Sequence, residues 1–154
     1  MRLLKLVALV ATLTAAAAAG AQADPGRNLE AILRPAAAGP DNAFGLVTFR
    51  QPKDESTIVT LDVWVRDLLP NHTYTVQRAV DPAVDDDCTG TNWTMPTLGS
   101  ITTDDRGTGR AELTRVLPAV LLGTEFDIHF RVVDPAAPDV AVLQSDCYQF
   151  TVSQ

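Results

Sequence analysis

The strongest constraint on the fold is a period-two alternation of apolar and polar residues. It is clearest from Thr57 to Arg66, where Val59, Leu61, Val63 and Val65 fall on one side and Thr60, Asp62, Trp64 and Arg66 on the other. Side chains of an extended chain point alternately to opposite faces, so this pattern predicts a strand with one face buried. The same period recurs along the chain. Leu29, Ala31 and Leu33 alternate with Asn28, Glu30 and Arg34, and Val47 and Phe49 share a side of Gly45 to Arg50. Tyr74, Val76 and Val80 are in phase from Thr73 to Val80. Leu98 to Thr103 and Arg110 to Val116, with Ala111 and Leu113 buried, give two more strands. From Glu125 to Val133, Phe126, Ile128, Phe130 and Val132 are expected to point in, and Asp127, His129 and Arg131 out.

The last segment, Val140 to Val152, changes parity. Leu143 is odd-numbered, whereas Tyr148, Phe150 and Val152 are even, which predicts a β-bulge near Ser145-Asp146, beside Cys147. The connections are made of residues that break regular structure: the Ala/Gly/Pro run from Pro35 to Asn42, the polar turn Pro52 to Glu55, Asp104 to Gly109, and the Pro-rich turn Asp134 to Asp139. Eight short strands with turn signals between them and no helical period predict an all-β fold, an eight-stranded antiparallel barrel or sandwich.

The first residues read as an export signal. Arg2 and Lys5 precede the apolar run Leu6 to Ala19, and Ala21-Gln22-Ala23 is a small-x-small cleavage site. Cleavage after Ala23 leaves residues 24–154 as a single secreted β domain, with no membrane segment after signal removal. With Arg2 and Lys5 in the leader, the mature chain keeps 10 basic against 19 acidic residues, a net charge of −9. That balance, with no basic cluster, argues against nucleic acid, because phosphate contacts need grouped Lys and Arg. Export to an oxidising space makes Cys88 and Cys147 a disulfide pair. The rival reading, a two-cysteine metal site, has no Cys-x-x-Cys or His-rich spacing to support it.

Candidate chemistry is sparse. The chain has two histidines, His72 in a turn and His129 on a polar strand face between Asp127 and Arg131. No Gly-x-Ser-x-Gly elbow and no phosphate-binding glycine loop is present. Asp81, Asp85, Asp86 and Asp87 place four carboxylates in seven residues, a composition that suits a hard cation such as calcium. The spacing lacks the alternation and closing Glu of an EF-hand, so a solvated acidic loop is the preferred reading. Trp64, on a polar strand face, is either a binding aromatic or covered by a neighbouring strand or loop. Trp93 and Met95, in the loop that follows Cys88, are candidate partner contacts, with packing against the barrel as the alternative.

The order of these parts resembles the copper/zinc superoxide dismutase fold, an eight-stranded Greek-key barrel. Gly45 to Gln51 is similar to that family's Gly-x-x-x-Phe-x-Gln strand, and Leu68 to Gln77 to its glycine- and histidine-rich copper strand. Cys88-Thr89-Gly90 resembles the start of its cystine loop, Leu98 to Asp104 its Leu-Gly-Asn-Val-Thr-Ala-Asp segment, and Cys147 the second cysteine in its last strand. The resemblance implies copper ligands at Thr75 and Gln77, where the imidazoles are missing, and zinc ligands within Thr89 to Thr97, which holds no histidine or acid. The last copper ligand falls near Asp134. Without imidazoles such a site cannot hold copper, so no metal cofactor and no dismutase activity are expected. Leu68-x-Pro70-x-x-x-Tyr74 also resembles the tyrosine corner of fibronectin- and immunoglobulin-like sandwiches.

The expected function is a secreted, non-catalytic module that binds an extracellular partner or ligand or serves a structural role. The alternatives are a metal protein or enzyme that builds a new site on the same scaffold from the acidic loop, His72 or His129, and an inhibitor acting through the loop Asp81 to Pro96.

Overall fold

The computed structural model describes residues 28–51, 57–89 and 95–152. Residues 1–23, read from the sequence as an export signal, lie outside the described residues. Nine strands follow in order: β1 (Asn28–Pro35), β2 (Phe44–Arg50), β3 (Ile58–Arg66), β4 (Thr73–Asp81), β5 (Thr97–Thr102), β6 (Gly109–Val116), β7 (Glu125–Val133), β8 (Ala141–Ser145) and β9 (Tyr148–Thr151). One 3₁₀ turn, Ala119–Leu121, lies between β6 and β7. Among the described residues no helix is long and apolar enough to cross a membrane.

All pairings are antiparallel and join one sheet in the order β5-β4-β7-β8-β1-β2-β3-β6, with β9 also on β7. The two ends of this path, β5 and β6, are consecutive in sequence and are joined by the bridge Thr103–Gly109, so the sheet curls into a nearly closed barrel. Going round it, β7 lies beside β4, and β5 and β6 follow on β4's other side. That 7-4-5-6 order is a Greek key.

Alternation sets the interior. Ala31, Leu33, Val47, Leu61, Val63, Val65, Val76 and Phe130 are all buried, and the register pairs Val47 with Val63 and Val76 with Val132 across neighbouring strands. Paired residues share a face, so each strand's apolar set meets its neighbours' on the inside. Phe150 stacks edge-on against Phe49, centroids 4.3 Å apart, and closes one end of the core.

The expected bulge is present, and it divides the last segment into β8 and β9. Between the pairs Gln144–Arg131 and Tyr148–Ile128 this segment has one more residue than β7. The insertion swaps parity, which is why Leu143 and Phe150 both reach the core. The Ser145 hydroxyl receives the Phe130 backbone N–H at 2.9 Å at the edge of the break and donates to the Asp146 carbonyl. The chain ends of β4 and β5 are fixed by polar turns. Asp104 accepts the N–H groups of Arg106 and Thr108, both at 2.9 Å, and Gly107 adopts φ +74° against the Leu68 carbonyl, where a side chain would clash. The Tyr74 hydroxyl accepts the Leu69 N–H at 3.1 Å, so the tyrosine corner forms.

Candidate functional site

β4 carries polar chemistry on both of its faces. Thr75, Gln77 and Asp81 share the outer one. Gln77 is buried, and its Oε1 accepts from Arg131 Nε at 2.6 Å, the residue opposite it on β7. Asp134 Oδ2 accepts from His72 Nε2 at 2.9 Å, with the imidazole edge-on to Tyr74. Of the positions that the dismutase resemblance gives to copper, Gln77 and Asp134 are thus engaged in side-chain pairs. Among the described residues no three His, Cys, Asp or Glu side chains gather closely enough to hold a metal ion.

The acidic loop is organised around a residue from another strand. Asp127 was expected to point out to solvent; it does face outward from the barrel, but it is fully buried. The reason is the loop after β4, which folds over it. Asp127 Oδ2 accepts the backbone N–H groups of Asp85 at 2.9 Å and Asp86 at 2.7 Å. Asp81, opposite Asp127 in register, is also buried and accepts the Ala83 N–H at 3.0 Å. Asp87 accepts both the amide and the hydroxyl of Thr89, which hold its carboxyl below the usual range. Asp85 is exposed, with its carboxyl raised by desolvation and by the nearby Asp87 and Asp81 charges. The loop acids therefore serve as turn acceptors and exposed charges beside two buried carboxylates, Asp81 and Asp127. The loop ends on Cys88, which forms a disulfide with Cys147 in the bulge, Cα atoms 5.6 Å apart.

His129 lies on the outer face of β7, where burial lowers its pKa against the opposing effect of the Asp146 and Ser145 backbone. Trp64 is half-buried on the outer face, edge-on to Phe44 and in register with Leu46 and Arg110. Asp62 beside it is bidentate with Arg110, Nε to Oδ1 being 2.9 Å. Met95 is half-buried just before β5, and Trp93 lies outside the described residues.

The inner face of β4 holds the feature that alternation alone did not single out. Arg78 stands between Val76 and Val80 at core-facing parity and pairs in register with buried Phe130. Arg115 does the same on β6, following Ala111 and Leu113 and pairing with buried Val59. Among the described strand residues these two arginines are the charged side chains at core-facing positions. Both line a cavity of about 260 Å³ at the barrel end formed by the starts of β3, β5 and β7 and the ends of β2, β4 and β6. Its other walls are apolar, including Phe49, Leu61, Leu98 and Leu121. Desolvation by these walls, and then the nearby Arg115 charge, lower the pKa of Arg78. Arg115 donates to the Thr114 carbonyl at 2.7 Å. Neither guanidinium meets a carboxylate among the described residues.

The cavity sits where the barrel is not closed. β5 and β6 are tied at the turn end by Thr103–Gly109, and toward the cavity Leu113 leans over Gly99, where a Cβ would lie 2.6 Å from its methyl. Beyond that point Leu98 and Arg115 line the cavity. The sequence signal for this site is the phase itself: both arginines occupy positions that the flanking apolar residues mark as inward. No protein-family model, curated protein or solved structure matches the chain.

Proposed function

We propose that this protein is an exported, non-catalytic binding module whose barrel-end cavity takes up a small apolar molecule. The observation that carries this reading is the cavity itself: a closed sheet packs its interior with side chains, yet here about 260 Å³ between apolar walls opens at the unpaired β5–β6 seam. The disulfide and the paired outer face of β4 support an extracellular scaffold that holds the cavity's rim rigid. The Greek-key order and the cystine placement are in keeping with a relative of the copper/zinc dismutase scaffold that lacks its ligands. Two-dimensional NMR of the methyl groups with toluene and octan-1-ol tests the reading. Saturable shifts confined to Val59, Leu61, Leu98, Leu117, Leu121 and Ile128 are expected. Their absence at ligand saturation in water would refute it.

A further inference from the structure

We infer that the ligand of this cavity is a small anionic amphiphile, with its apolar tail inside the barrel end and its carboxylate or equivalent head held by Arg78 and Arg115; this rests on the cavity reading above. The geometry of the charges carries it. Two arginines on strands that are not hydrogen-bonded to each other, β4 and β6, both turn inward at the same end of the barrel. A guanidinium brings five donors in a planar fork, and those of Arg78 are reached by solvent at the cavity mouth, open to an incoming acceptor. Like charges drawn together between apolar walls are unfavourable in the empty protein. One anion between them removes the repulsion and supplies the acceptors, in the bidentate geometry that arginine forms with carboxylates.

The surroundings narrow the class further. The protein is acidic as a whole, so anions are not drawn to its general surface. A bare anion would meet two donors groups and otherwise only hydrocarbon, losing hydration it does not recover. An apolar tail converts that same wall into a favourable contact. The volume is slightly below the roughly 300–1,000 Å³ of sites for drug-sized ligands, which fits one short chain or one ring and excludes a two-tailed lipid.

Calorimetric titration with octanoate, octan-1-ol, octylamine and inorganic phosphate tests this on the full mature chain, with Arg78→Met and Arg115→Met as variants that keep an apolar stem. Octanoate should bind tightest. Loss of either arginine should weaken it by roughly 30-fold, the lower end for removing one partner of a buried charge pair. Octan-1-ol should change by no more than about twofold, as expected of an uncoupled contact. Thermal melts of each variant establish that it is folded. If octan-1-ol binds the wild type as well as octanoate, or if octanoate is indifferent to both substitutions, the anionic class is wrong while the cavity reading stands; if phosphate binds as well as octanoate, the apolar tail contributes nothing and the cavity reading fails. If no probe binds, both fail.

Discussion

Arg78→Met should stabilise the unliganded protein. The wild-type side chain carries its charge into a rim of Phe49, Val80 and Leu98 and gains no carboxylate there. Methionine follows the same aliphatic path, keeps contact with those walls and leaves no charge to desolvate. Replacing buried ion pairs with apolar side chains of similar volume ranges from neutral to a gain of about 1–4 kcal/mol, and a lone arginine has no paired charge whose attraction would be lost. Arg78 is half-buried, so water screens part of its charge and the lower part of that range applies, about 1–2 kcal/mol. For a domain of this size that raises the melting temperature by roughly 3–8 °C. Calorimetry on protein stripped of bound small molecules, at neutral pH and low salt, measures it. Two further readings follow from the same geometry. The gain should shrink in high salt, which screens the repulsion from Arg115. The double variant with Arg115→Met should gain less than the sum of the two single changes, because the first substitution already removes the shared repulsion. A loss of about 1 kcal/mol or more in Arg78→Met would refute the reasoning, since it would mean that the guanidinium makes net favourable contacts in the empty site.

Removing the disulfide by Cys88→Ser with Cys147→Ser should cost roughly 4 kcal/mol, given a separation of 59 residues, with a drop in melting temperature that dithiothreitol reproduces in the wild type. A change below about 1 kcal/mol would show that the unfolded chain is not constrained by it. Asp127→Ala strands the amides of Asp85 and Asp86 and should cost about 2–4 kcal/mol; hydrogen exchange at those two amides should accelerate, and unchanged exchange would contradict the role given to Asp127. His129 has a folded pKa below its ordinary value, so the unfolded chain takes up the proton first as pH falls. Its contribution is complete above about pH 6.5 and is lost below it as pH falls through the folded value, and subtraction of the His129→Gln pH profile should isolate this slope. A flat difference between the two profiles would count against burial as the cause. Calcium should leave the melting temperature unchanged, because the loop carboxylates are spent on turns rather than converged; a saturable rise would overturn that account.

Much of the architecture is written in local sequence. Strand parity gives the inward set of β3 and β7 directly, and the parity change between Leu143 and Tyr148 matches the extra residue found between Gln144 and Tyr148. What local pattern does not carry is what covers a face. Asp127 has outward parity and yet is buried, because a loop that begins more than 40 positions earlier in the chain closes over it. No period in β7 contains that information. Arg78 is the opposite case. Its phase was visible, but charge normally overrides phase in judging which residues lie inside, so Tyr74, Val76 and Val80 mark the face and the arginine among them is passed over. Arg115 is hidden in the same way behind Ala111 and Leu113.

The two faces of β4 explain why the polar chemistry ends up inside. On the outer face, Gln77 is held by Arg131, Asp81 by the turn at Ala83, and the cystine-tethered loop lies over Asp127. These contacts use most of the polar groups on that face, while Asp127 Oδ1 stays buried with no hydrogen-bond partner among the described residues. On the inner face, the donors of Arg78 find no acceptor within the described protein, and the residue beside it across the seam brings a second positive charge. Those donors are reached by solvent, so an acceptor entering the cavity would replace water there. An inner arginine that opens on an apolar cavity, with a second positive charge across the seam, is what the proposed binding within the barrel end rests on.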